Sequence, residues 1–160
     1  MAEIRRLTPN DAYELWKVRL TALETEPQAF RETAAEHRQR TMASFAARLG
    51  EDGSGNFVYG AFEGALLVGM AGSYRKDEQR AWIWGVFVLP RYRGQGISRA
   101  LLKALLDGLR FIPRLSSVHL TVASTQEAAR RLYRSCGFHV CPPDAETPAH
   151  EEHLVYLLQQ

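Results

Sequence analysis

The sequence predicts a chain of the α/β class, α+β in type, in which a mixed and mostly antiparallel sheet of about 6–7 strands is flanked by about four helices. Three patterns carry this expectation. Between residues 57 and 89, three apolar runs of strand-forming residues are joined by short polar turns, which makes them consecutive antiparallel neighbours. A helix-spaced stretch then separates the run ending at Leu89 from the next apolar run at 117–123, and a helical crossover makes those two strands parallel. Further helical periodicity lies in the N-terminal third and at 126–135, where it can cover the sheet.

Residues 3–7 alternate as a short first strand, and Thr8-Pro9-Asn10-Asp11 is a turn able to cap the helix after it. From 12 to 23 the residues Leu15, Trp16, Val18, Leu20 and Leu23 give an amphipathic helix, which the segment containing Pro27 ends. A more polar helix is expected over 33–49, with Met42, Phe45, Ala46 and Leu49 on one face. Residues 50–56 are a loop by composition. Strands follow at 57–62, 65–74 and 80–89, and Gly69, Gly72 and Gly85 inside them point to bulges or close backbone approach. The helix at 97–109 carries Ile97, Leu101, Leu102, Leu105 and Leu106 on one stripe, with Pro113 beyond its end. Strand 117–123 turns Val118, Leu120 and Val122 to one side, helix 126–135 ends at Gly137, and 138–141 with 153–158 form a terminal strand pair.

A chain of 160 residues with 46% hydrophobic content suffices for one core, so a single domain over 1–160 is expected. The net charge of +2, with arginines scattered, is too balanced to imply a nucleic-acid protein, and no nucleic-acid partner is expected. No apolar run has signal length or approaches the roughly 20 residues of a membrane span, so the expectation is a soluble, cytoplasmic protein without a membrane partner. Cys136 and Cys141 lack a metal-ligand spacing and are expected as free thiols, with no metal.

The stretch best suited to chemistry starts at Gly85. Val86, Phe87, Val88 and Leu89 form a buried strand that Pro90 stops, and Gly94 and Gly96 allow a tight turn with no side chain over it. The helix starts at Ile97, so its first amides face outward beside Arg91, Arg93 and Arg99, which suits either an anion site or a plain strand-to-helix turn with solvated arginines. A nucleotide-triphosphate loop is not expected, because no Gly-Lys-Ser or Gly-Lys-Thr follows; a dinucleotide fingerprint fails because Arg99 stands where its third Gly or Ala belongs.

This stretch resembles the acyl-CoA loop of the GNAT superfamily of N-acetyltransferases, whose pattern is Gln/Arg-x-x-Gly-x-Gly/Ala. Arg91-x-x-Gly94-x-Gly96 matches it fully, whereas Arg93-x-x-Gly96-x-Ser98 keeps the usual spacing from Pro90 and is the preferred register. A second landmark, residues 122–138, resembles the superfamily pattern Asn-x-x-Ala-x-x-Leu-Tyr-x-x-x-Gly-Phe. Ala129, Leu132, Tyr133, Gly137 and Phe138 are in register and Gln126 takes the Asn position. The resemblance implies a GNAT fold, whose central parallel strands splay apart, and acetyl-CoA as cosubstrate. It further implies transfer of the acetyl group directly to a primary amine of a small molecule, peptide or protein. Dimers are frequent in that superfamily, which makes a homodimer compatible with it.

The resemblance also suggests site residues. Val86, Phe87 and Val88 would offer the strand edge and an oxyanion N–H, while Arg93, Gly94, Gln95, Gly96, Ile97, Ser98, Arg99 and Gln126 would hold the cofactor. Tyr133 would donate a proton to the departing thiolate. A lysine-like amine with a pKa of about 10.4 must also lose a proton before attack. No carboxylate lies on the strand 80–88, which leaves Glu32, Glu36, His37 or a water chain as base candidates. Trp82 and Trp84 share a strand face and are candidates for lining an acceptor pocket, and His119 is read as structural. The competing reading is a CoA-binding sensor or interaction domain without turnover.

Overall fold

The computed structural model describes residues 2–50, 55–142 and 147–158, so the expected loops at 50–56 and 142–150 lie partly outside the described residues. Its seven strands are β1 (Glu3–Arg6), β2 (Phe57–Glu63), β3 (Leu66–Arg75), β4 (Arg80–Val88), β5 (Ser117–Ala123), β6 (His139–Cys141) and β7 (Glu151–Leu157). They form one sheet in the order β1-β2-β3-β4-β5-β7-β6. Every neighbouring pair is antiparallel except β4 and β5, which run parallel as expected. That pair holds only at Arg80↔Ser117, Ala81↔Val118 and Trp82↔His119 and is unpaired beyond.

A bulge in β4 lies just past this fork. Gly72 pairs with Trp84 and Met70 with Phe87, so Gly85 and Val86 together oppose the single residue Ala71. Gly85 has φ +67, and a Cβ there would lie 2.8 Å from Met70 Cε, so glycine suits both the conformation and the space. The extra residue shifts the alternation of side chains. Ala81 and Ile83 enter the same core as Val88, whereas Phe87 belongs to the core on the other face. Leu89 donates its N–H to Val68 at 2.8 Å. By ladder alternation Phe87 also turns its main chain to β3, and Val88 turns away from it.

Gly72 is a close approach of the second kind expected. A Cβ there would sit 2.5 Å from Trp84 Cε2, so the indole lies against the bare backbone. Gly72→Ala is expected to displace that ring and destabilise the fold by about 1–3 kcal/mol, read as a lowered thermal midpoint. An unchanged midpoint would show that Trp84 moves aside freely.

Helices cover both faces. On one, α1 (Ala12–Thr25) buries Leu15, Val18 and Ala22, and α3 (Met42–Gly50) adds Phe45 and Leu49. On the other, α4 (Ile97–Leu109) buries Leu101, Leu102, Leu105 and Leu109 completely. Burial of a leucine stabilises by about 1.5–3 kcal/mol, so this stripe anchors α4, and with it the glycine turn at its start. The helix α5 (Glu127–Ser135) packs Leu132 and Tyr133 on the same core.

The single helix expected over 33–49 is instead two. The shorter, α2 (Ala34–Arg38), starts at a capping box in which Thr33 and Glu36 exchange hydrogen bonds of 3.0 and 3.1 Å. Thr41 then begins α3 by accepting the Ser44 N–H on its hydroxyl at 3.1 Å. Two caps eight residues apart thus override a continuous stripe, and the break lets His37 meet Phe45 edge-on at 5.4 Å. Met42, expected on the apolar face, is 39% exposed.

Candidate active site

The fork between β4 and β5 opens into a cleft of about 1290 Å³. Trp84, Val86 and Val88 border it from β4, Leu120 and Val122 from β5, and Gln126 and Tyr133 from the start and body of α5. Phe87 also borders it, with its ring buried edge-on to Phe30. A smaller recess of about 220 Å³ lies at the start of α4, bounded by Gly94, Gly96, Ile97 and Arg99. Val88, Arg93, Ser98 and Leu132 border both spaces, so the recess adjoins the cleft.

At the recess the backbone is left uncovered. Gly94 and Gly96 both have φ +79, and a Cβ on either would meet nothing within 4 Å. Gly96 is the N-cap of α4, and no side chain caps the helix. The first-turn amides, those of Ile97 and Ser98 among them, therefore face the recess with the positive end of the helix dipole. The Ile97 side chain is buried in the core, so only its main chain is on offer, and Gln95 is exposed. Arg99 is exposed, with Nη1 4.0 Å from Cys136 Sγ. Arg93 is differently placed from the arginines of a bare anion site. Its Nε donates to Val88 O at 2.9 Å and its Nη2 lies 3.4 Å from Glu26, so its side chain is committed to the protein.

Tyr133 is 9% exposed and packs edge-on to Phe138. Burial, followed by the neighbouring Cys136, pushes its phenol well above the ordinary range and keeps it protonated.

A family model described as the Acetyltransferase (GNAT) family matches residues 14–138. The chain belongs to this family. It is 40% identical over 86 residues to the N-alpha-acetyltransferase RimI of Mycobacterium tuberculosis, a match covering 52% of each chain. It is 29% identical over 86 residues to a spermine/spermidine N(1)-acetyltransferase of Bacillus subtilis, covering 52% of this chain and 57% of that protein. The chain thus spans about half the length of the curated relatives it matches. Its fold is similar to that of a GNAT superfamily phosphinothricin acetyltransferase from Sinorhizobium meliloti, solved in complex with AcCoA. The TM-score is 0.77 at 16% identity, over 98% of this chain and 88% of that one.

Within this family member, none of the candidate bases is free. Glu36 is exposed and caps α2. His37 is fully buried, stacked on Trp16, with Nε2 bonded to the Trp16 carbonyl at 3.0 Å, and burial lowers its pKa. Glu32 borders the cleft but is clamped by Arg40 and Arg19. Burial raises its pKa, yet the Arg40 hydrogen bond and both guanidinium charges outweigh that and hold it low. No group of three or more His, Cys, Asp or Glu side chains able to hold a metal occurs among the described residues. No described helix is long and apolar enough to cross a membrane.

At the fork itself, Trp82 stacks on His119 and His153, with centroids at 5.4 and 5.2 Å. The two imidazoles meet at 2.9 Å, and Ser117 holds the far nitrogen of His119 at 2.8 Å. Burial, then the His153 charge, lowers the His119 pKa from 6.5 to about 4. Between those values the unfolded chain binds a proton that the folded chain refuses. The part of the stability that His119 contributes is therefore complete above pH 6.5 and falls as pH drops toward 4. Thermal midpoints across that window should show the fall, and His119→Gln should make it shallower, the remainder belonging in part to His37, whose pKa burial also lowers; an unchanged slope would take His119 out of the effect.

The sequence reading missed Arg19. Its signal was present, since Arg19 stands between Leu15 and Leu23 at helical spacing on the apolar stripe of α1.

Proposed function

We propose that this protein is an acetyl-CoA-dependent N-acetyltransferase that moves an acetyl group directly onto a primary amine. The observation that carries the reading is the uncapped start of α4 beside a cleft whose wall includes Tyr133. The loop of Gly94, Gln95, Gly96, Ile97, Ser98 and Arg99 would hold the pyrophosphate through main-chain amides, with the Arg93 side chain bracing the turn against Val88. The unpaired edge of β4 near Val86 and Val88 would align the pantetheine arm, and Gln126 at the start of α5 would border it.

The Val88 main chain faces away from β3, which supports its N–H as the donor that would steady a developing oxyanion. Phe87, whose main chain faces β3, would contribute its ring to the cleft wall. The protonated Tyr133 would then donate to the sulfur as the carbon–sulfur bond breaks and the carbon–nitrogen bond forms. The proton lost by the amine would leave through water in the cleft, since Glu32, Glu36 and His37 are engaged elsewhere.

Incubation with acetyl-CoA and a panel of amines, following free thiol, tests this. Amine-dependent thiol release is the expected result. Tight CoA binding with no release for any amine would overturn turnover, and absence of CoA binding would overturn the site. A homodimer and a cytoplasmic setting belong to the same reading, the first checked by sedimentation of the purified chain and the second by fractionation of cells.

A further inference from the structure

Arg19 is 7% exposed, and it borders the cleft. Its Cζ lies 4.8 Å from the ring centre of Phe30 and 5.4 Å from that of Trp84, so two aromatic rings hold the guanidinium. Its Nε is 3.4 Å from Glu32, its carboxylate partner. Nη1, although buried, has no hydrogen-bond partner among the described residues. That nitrogen sits over the β4 bulge, 3.4 Å from where a Cβ on Gly85 would be.

Glu32 does not belong to Arg19 alone. Arg40 Nε lies 2.5 Å from its other oxygen, and His37 Nδ1 is 3.6 Å away and held neutral by burial. One carboxylate therefore serves two guanidiniums, and a positive charge is left over at the cleft wall. A buried donor without an acceptor is destabilising, and a buried cation without a full counterion more so. A polyamine entering this end would add like charge to that excess, whereas a carboxylate would complete it with charge-assisted hydrogen bonds.

We infer that the acceptor is an amine that also carries a carboxylate, as an amino acid does, and that Arg19 is the residue that binds that carboxylate. This rests on the acetyltransferase reading above and narrows its acceptor. Arg19 orients the acceptor over the bulge, with its amine directed toward the fork, and takes no part in proton transfer.

The test compares the common L-amino acids with their carboxamides, and with spermidine, in the thiol-release assay on the unaltered protein. The best amino acid is expected to exceed its carboxamide roughly 10- to 100-fold in kcat/KM, mostly through KM, the range for loss of a charged hydrogen-bond partner. Arg19→Met should bring that ratio close to one. Equal use of acid and amide by the unaltered protein, or preference for spermidine, overturns the inference while leaving the acetyltransferase reading intact. A ratio unchanged in Arg19→Met shows that Arg19 is a packing residue and overturns its role. Should Arg19→Met fail to fold, the acid-to-amide ratio in Arg19→Lys, which keeps charge but loses the planar fork, replaces it; a full wild-type ratio there counts against the assignment. If CoA binds and no amine reacts, the catalytic reading fails, and calorimetry of the acid and amide pairs against the CoA-loaded protein decides the carboxylate site by itself.

Discussion

Tyr133→Phe is expected to slow amine-dependent thiol release by about 10²-fold or more while leaving CoA affinity nearly unchanged. Phenylalanine keeps the ring that packs on Phe138 and removes one oxygen, so folding should be untouched. The phenol is buried, and its pKa is raised by that burial and by Cys136, so it holds its proton throughout the neutral range. It can therefore act as a donor without prior protonation, and the alkaline limb of the rate profile should not begin at the ordinary phenol value near 10. The measurement is kcat at saturating acetyl-CoA beside an equilibrium titration with CoA. Loss of rate and affinity in equal proportion would reassign Tyr133 from proton donor to binding surface, and an unchanged rate would remove it from the chemistry.

Gly96→Val should weaken CoA binding about tenfold or more, because each charge-assisted hydrogen bond forfeited by a displaced amide is worth about 1.5–3 kcal/mol. The position has φ +79, which costs a residue with a Cβ about 1–2 kcal/mol and a β-branched one more. The Cβ itself would meet nothing within 4 Å, so the strain should be relieved by turning the α4 start and not by disturbing the core. Gly64→Val is the matched control, since Gly64 also has positive φ (+60) and open surroundings but lies in the β2–β3 turn. Equal loss of CoA affinity in both variants would mean that the effect is global and that the α4 loop is not where the diphosphate is held.

Strands and the central helix were legible because their signals are local. The turn Glu63-Gly64, the stop at Pro90 and the leucine stripe of α4 each follow from neighbouring residues alone, and α4 spans Ile97–Leu109 as its periodicity predicts. The split of residues 34–50 into α2 and α3 was not legible, because two competing threonine caps interrupt a stripe that looks continuous. The side-chain fate of Arg93 was hidden for a different reason. Its partners, Val88 O and Glu26, are set by how the loop folds back on β4 and on the end of α1, which no spacing encodes. The clamp on Glu32 likewise joins α1 to residues well downstream, so a carboxylate that reads as a free base in sequence is already engaged in space.

The fork between β4 and β5 stands open in the chain by itself, with its last rung at Trp82 and His119. No interstrand bond has to break before a guest chain enters, so the separation is settled during folding and adds no barrier to arrival. Association should accordingly be a single exponential whose rate rises linearly with CoA concentration, without the plateau that a preceding slow rearrangement would impose.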